Sequence, residues 1–179
     1  MRNPGKLFED DFKNSVPEQY YYKRIPDPPQ SFGQDSEKTR FSSKNPYDAI
    51  LFDTMGGILY TLELKSTKGG GITFWKEDAK PNKTCLNIKK HQIMSLLEAD
   101  KKDRVVSGLV LNFRDTEHTY FLPIKEFLKF SNQTEKISIN EKDVLKLTHY
   151  QFEAIKKITR FQYEIETFLK FNRKENFHE

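Results

Sequence analysis

A chain of 179 residues suits one domain, since domains run to roughly 100–200 residues, and it is long enough to bury a core without staples. Hydrophobic residues make up 36% and aromatics 13%, with 15 Phe and 8 Tyr, which suits a folded chain better than a disordered one; the single cysteine, Cys85, excludes an internal disulfide and a thiolate metal cage and is expected to be a small, partly buried residue. The net charge of +4, with pI near 9.0, is compatible with a phosphate-rich partner and identifies none.

The polar opening, Met1 to Asp11, holds no signal-peptide core, and no run approaches the ~20 apolar residues of a membrane span, so a cytoplasmic protein with no membrane partner is expected. Leu7, Phe8, Phe12 and Val16 recur at helical spacing and predict a helix over Gly5–Ser15, stopped by Pro17. Tyr20–Ile25 predicts a strand, broken by Pro26-Asp27-Pro28-Pro29. The polar stretch to Asn45 is long for a plain connector, so 26–45 is expected to form a projecting arm. Tyr47–Asp53 and Ile58–Ser66 predict a hairpin turning at Met55-Gly56-Gly57. A glycine-rich loop follows at Lys68–Gly71, then a helix over Lys89–Ala99 carrying Ile93, Met94, Leu96 and Leu97. Val105–Phe113 is nearly continuously apolar, the signature of a central strand covered on both faces. His118–Leu122 predicts another strand, Pro123 opens a helix to about Phe130, and 140–179 is expected to be mainly helical. The sum is a single α/β domain over 1–179, with a mixed central sheet flanked by helices.

The hairpin carries the chemistry. Residues two apart on a strand share a face, so Glu63 and Lys65 project together while Leu62 and Leu64 face the other way, and the turn can bring Asp48 alongside. Two carboxylates and an ammonium on one sheet face suit metal-assisted hydrolysis: Mg²⁺, or Mn²⁺ in its place, takes carboxylate and phosphate oxygens, and Lys65 would orient water or offset developing negative charge. The same residues equally describe a solvated strand face with an ordinary cross-strand ion pair.

Asn45-Pro46-Tyr47-Asp48, followed by Glu63-Leu64-Lys65, resembles the PD-(D/E)xK nuclease signature, and among these nucleases the chain is most similar to the RecU-type Holliday junction resolvases. Gly5-Lys6-Leu7-Phe8-Glu9 resembles their N-terminal helix, and Glu63-Leu64-Lys65-Ser66-Thr67-Lys68 their catalytic strand and its exit. Ile72-Thr73-Phe74, then Asn87 with His91-Gln92-Ile93, Val105–Phe113, Thr119–Ile124 and Arg160–Leu169 follow in the family's order. The resemblance implies a restriction-endonuclease-like core and a Mg²⁺-dependent endonuclease acting in recombination and repair. Such an enzyme resolves four-way junctions by paired nicking and leaves 5′-phosphates. It further implies a homodimer, recombinase or branch-migration partners, and a stalk at 26–45 reaching into the junction. Here that segment is shorter than the family's stalk, and Asp27, Asp35 and Glu37 offset Lys38, Arg40 and Lys44. By the same resemblance Asp48 and Glu63 are the main metal ligands, Glu9 completes the acidic cluster, Lys65 serves the nucleophilic water, and Gln92 lies at the edge of the site.

For DNA contacts the sequence offers Lys68, Gly69, Gly70 and Thr73 in the loop after the catalytic strand, where backbone amides and a lysine can hold a phosphate. It offers Lys38, Arg40 and Lys44 in the arm, and Lys89 and Lys90, with Lys101, Lys102 and Arg104, around one helix. The loop lacks the Gly-Lys-Ser/Thr of a Walker motif. Phe74 and Trp75 suit packing better than base stacking. The basic tail, including Lys156, Lys157, Arg160, Arg173 and Lys174, is diluted by Glu153, Glu164, Glu166 and Glu175 and reads as a solvated helix face. Three other readings stay open: a duplex endonuclease of the same superfamily, a non-catalytic DNA-binding accessory protein, and an interaction domain with a chance motif, which a Glu9 far from Asp48 and Glu63 would favour.

Overall fold

Alternating apolar residues in some strands, and an unbroken apolar run in another, build the sheet at the centre of the computed structural model, which describes residues 3–26, 44–77 and 86–176. Helix α1 (Pro4–Asn14) starts with Pro4, whose missing N–H costs nothing there, and the Asn3 side chain accepts the Gly5 N–H at 2.9 Å. Strands β1 (Tyr21–Arg24), β2 (Ala49–Asp53) and β3 (Ile58–Thr67) pair antiparallel in turn. Gly57, at φ +63°, supplies the left-handed residue in the β2–β3 turn. The short β4 (Ile72–Thr73) leaves the sheet, and α2 (Lys90–Ala99) carries the chain over it to β5 (Val105–Phe113), which pairs parallel with β3. Strand β6 (His118–Pro123) returns antiparallel to β5, and α3 (Ile124–Gln133) follows. Gly108 in β5 is obligatory, because a Cβ there would lie 2.5 Å from a Phe121 ring carbon and 2.6 Å from the Leu122 carbonyl oxygen.

The chain then adds β7 (Ser138–Ile139), paired with β4, and α4 (Glu141–Val144). Strand β8 (Tyr150–Phe152) pairs with β6, β9 (Ala154–Lys156) and β10 (Phe161–Tyr163) form a separate hairpin, and α5 (Ile165–Asn176) closes the described chain. The central sheet is mixed and six-stranded, ordered β1-β2-β3-β5-β6-β8. One face packs on α1 and α5 through Phe8, Phe12, Phe168 and Leu169 against Leu51, Tyr60, Leu62 and Val110. The other packs on α2 and α3 through Ile93, Leu96, Ile124 and Phe127 against Leu109, Leu111 and Leu122. Burying each of these large side chains stabilises the fold by roughly 1.5–3 kcal/mol. Strand β5 contributes to both faces, as its apolar run implies.

The expectation of a mainly helical 140–179 is corrected between 150 and 163, where three short strands lie. Tyr150 and Phe152, like Phe161 and Tyr163, sit two apart, which is strand periodicity. Phe152 and Tyr163 are buried, and their rings meet Phe12. The greater part of the 26–45 arm (residues 27–43, with Lys38 and Arg40) and Cys85 lie outside the described residues. Among the described residues no helix is long and apolar enough to cross a membrane.

Candidate active site

Side chains of β3 alternate between the two layers, so Leu62 and Leu64 enter the core under α1 and α5 while Glu63 and Lys65 face the α2 side. Asp48 precedes β2 but keeps its register. Its N–H donates to the Leu62 carbonyl at 3.1 Å and its carbonyl accepts the Ile25 N–H at 2.8 Å. With Ala49 opposite Leu62, Asp48 comes opposite Glu63.

Four of the expected residues meet. Lys65 Nζ lies 3.2 Å from Asp48 Oδ2 and is also paired with Glu63 Oε1. Asp48 Oδ2 further accepts the Leu64 N–H at 2.9 Å. Gln92, in the first turn of α2, accepts the Lys89 N–H on Oε1 at 2.8 Å and donates from Nε2 to Glu63 Oε1. With its carbonyl taken by the start of its own helix, the amide presents its N–H₂ to Glu63.

Glu63 is wholly buried, and its Oε2 has no hydrogen-bond partner. Burial is the largest influence on this carboxyl and pushes its pKa up to about 8; nearby Asp48 adds to the effect and Lys65 opposes it. Burial works against the Lys65 ammonium too, but Glu63 and Asp48 outweigh it and hold its pKa above the ordinary lysine value.

Glu9 stands apart. It rises from α1, on the other side of the sheet, and its Oε2 takes the Arg24 guanidinium at 2.6 Å. Glu9 and Asp48 nonetheless both bear on the Tyr22 phenol, whose pKa is raised chiefly by burial and further by these two carboxylates. The two acids therefore flank the same edge of the sheet. Among the described residues no three His, Cys, Asp or Glu side chains gather closely enough to hold an ion by themselves. Sequence reading missed Tyr22 and Arg24; their alternation in β1 is visible, but their neighbours follow only from strand order.

The residues expected to contact DNA divide. After β3 the loop runs through Gly69 (φ +68°) and Gly70 (φ +153°), and a side chain at either would meet only open space. Asp115 in the β5–β6 turn takes the Gly69 N–H, and Arg114 Nε donates to the Thr67 carbonyl at 3.3 Å. Thr73 is structural: its hydroxyl donates to Asn87 Oδ1 at 2.8 Å and accepts the Asn87 N–H at 3.0 Å, pinning β4 to the approach of α2. Lys90 lies 4.4 Å from the centre of the Trp75 ring, and Phe74 is core. His91 has its pKa lowered, first by burial and then by Lys44 and Lys89, so both cations lie near the Gln92 end of the site. A cleft of about 510 Å³ lies alongside, lined by Pro46, Tyr47, Met94, Ser95, Glu98, Ala99 and Lys102.

No known family description matches this chain. It is 35% identical over 136 residues to the SPbeta prophage-derived uncharacterized protein YotM of Bacillus subtilis (strain 168). The match covers 75% of this chain and 63% of that protein, so the chain spans less than two thirds of this relative's length.

Proposed function

We propose that the chain is a metal-dependent DNA endonuclease with a restriction-endonuclease-like core, acting on four-way junctions in the manner of the RecU-type resolvases. One observation carries the reading: a fully buried Glu63, with an orphaned Oε2, held beside Asp48 by Lys65 and Gln92. A buried acceptor left without a hydrogen bond costs about 1–3 kcal/mol, so an unpartnered Oε2 beside a second carboxylate suits a ligand atom.

A divalent cation fits these donors. The Leu64 N–H and Lys65 Nζ both bond Asp48 at Oδ2 and Glu63 Oε2 has no hydrogen-bond partner, so each carboxylate has a hard oxygen to offer. When bound, Mg²⁺ or Mn²⁺ supplies a lowered pKa for a water and charge compensation on the scissile phosphate. Asp48 and Glu63 would hold it, with Glu9 joining through water once released from Arg24. Lys65, between the two carboxylates, can orient water or neutralise a phosphate oxygen. Gln92 keeps Glu63 from turning away. Lys44 and Lys89 lie near His91 at the Gln92 end of this set, and Lys68, Lys90 and the loop at Gly69 and Gly70 are further candidates for backbone phosphates. Attack in line with a departing 3′ oxygen would leave 5′-phosphates. A two-fold dimer would present paired sites to a pseudo-two-fold junction, and recombinases or branch-migration proteins are natural partners for such an activity.

The reading as an interaction domain with a chance motif has one observation in its favour, the Glu9–Arg24 pair, which turns the third acid away from the other two. Cleavage of labelled DNA separates the readings: a four-way junction against linear duplex of the same sequence, in Mg²⁺, Mn²⁺ or chelator. Metal-dependent paired nicks confined to the junction, lost in Glu63→Ala and Lys65→Ala with DNA binding retained, are expected. Equal cutting of duplex would leave a nuclease without junction preference. Binding without cutting in either metal would leave the accessory reading.

A further inference from the structure

The hairpin of β9 and β10 stands off the main sheet, with Lys156 opposite Phe161, Ile155 opposite Gln162 and Ala154 opposite Tyr163. The Lys157 N–H donates to the Arg160 carbonyl at 2.8 Å and closes a tight turn over Ile158 and Thr159. Such turns ordinarily take Gly, Asn or Asp. Here Ile158 is 100% exposed and Ile155 56% exposed. An isoleucine wholly in water contributes no burial to folding. Residues 154–163 also carry Lys156, Lys157 and Arg160 and no acid.

The root of the hairpin, by contrast, is held firmly. Asp11 in α1 takes the Arg160 guanidinium and the Phe161 N–H, the latter at 3.2 Å. Ser15 Oγ accepts the Tyr163 N–H at 2.9 Å, and the Tyr163 ring meets Phe8 edge-on, with centroids 6.0 Å apart. A fixed root with a bare apolar tip makes a rigid probe.

Its position relates it to the candidate site. Strands β3 and β5 run parallel, so Lys65 and the 114–117 turn lie toward one end of the sheet. Strand β8 runs antiparallel to β6 toward that same end, the hairpin leaves from there, and Lys156 pairs with Glu117 in the turn. The hairpin root packs on α1, on the face of the sheet opposite Glu63 and Lys65, so hairpin and candidate site share an end of the sheet and not a face.

We propose that the β9–β10 hairpin is a DNA wedge: Ile158 enters a base step left open at a branch or unpaired site, while Lys156 and Lys157 take the flanking phosphates. This rests on the DNA reading above and adds to it the element that recognises the open step. Apolar side chains inserted between bases must first unstack them, so a wedge favours DNA whose stacking is already broken. The Lys156–Glu117 pair is about half exposed on both sides, and such pairs are weak enough to give way to a phosphate. Arg160 stays with Asp11 and keeps the root in place.

The test is equilibrium binding of the full chain in chelator, so that nothing is cut. The probes are a linear duplex, the same duplex with two unpaired bases, and a four-way junction, each with 2-aminopurine at the central step. Ile158→Ser is expected to weaken binding to the two open probes about tenfold, the low end of the scale for losing one inserted apolar side chain. It should abolish their 2-aminopurine fluorescence rise and leave the duplex within about twofold. Lys156→Ala/Lys157→Ala should weaken all three probes and reduce the salt dependence by about two phosphate contacts. If the wild-type chain binds DNA and both variants bind all probes equally well, the wedge is wrong and the DNA reading survives. If the wild-type chain binds no probe, both fail. Binding to anionic phosphatidylglycerol vesicles that Ile158→Ser abolishes, with DNA binding unchanged, would assign the tip to a lipid surface and overturn the proposal.

Discussion

Replacing Glu63 by glutamine tests whether this carboxyl is held for a cation or is a settled part of the core. Its pKa stands near 8 against an ordinary value of 4.5, a difference of about 5 kcal/mol between its protonation states. Because the folded value is the higher one, the stability associated with the protonated group is fully present below pH 4.5 and is lost as pH rises through about 8. Between pH 6 and pH 8 the wild-type chain should lose on the order of 2 kcal/mol from this group alone. Lys65 does not offset that loss, since its pKa lies above the lysine value and it stays charged throughout. Glu63→Gln keeps the shape and can still accept from Gln92, but it does not titrate. Urea denaturation in chelator at pH 6 and pH 8 should show the variant gaining about 2 kcal/mol on the wild type over that interval. Mg²⁺ should raise wild-type stability more at pH 8 than at pH 6 and leave the variant nearly unmoved. A stability difference that is the same at both pH values would refute the reasoning, because Glu63 would then not be gaining a proton on folding.

Two further outcomes follow from named contacts. Arg173→Ala should cost about 3 kcal/mol in urea denaturation, the low end of the cost of stranding a buried charge, because both Asp53 oxygens accept from Arg173 at 2.6 Å and Asp53 is wholly buried; a loss below about 1 kcal/mol, the worth of a surface pair, would mean that α5 is not clasped to the β2–β3 turn. Gln92→Ala should weaken Mg²⁺ affinity by about 10–100-fold, the usual cost of removing a group that orients a metal ligand, and titration of Mg²⁺ against stability would expose an unchanged affinity.

Much of the frame is legible in the linear chain because it rests on local periodicity. The apolar alternation of β2 and β3, the turn glycines and the unbroken run of β5 each depend on neighbours a few residues away, and so does the pairing of Asp48 with Glu63 and Lys65 across a short hairpin. The segment 150–163 misleads because Glu153, Ala154, Lys156 and Lys157 suit a helix, whereas Phe152 and Tyr163 have their partners in Phe12 and Phe168, which lie far off in the sequence or on another element.

The sequence by itself determined the mixed α/β character, the hairpin and the residue types of the candidate site, since spacing along one or two elements sets which side chains share a face. Only the tertiary structure decided that Gln92 braces Glu63, that Glu9 is taken by Arg24, that Thr73 is bound to Asn87, and that Asp53 is buried under Arg173 from 120 residues away. Those contacts depend on strand order and on which helix covers which face, and these are set by the packing of the whole core, where most buried polar groups must find partners at once.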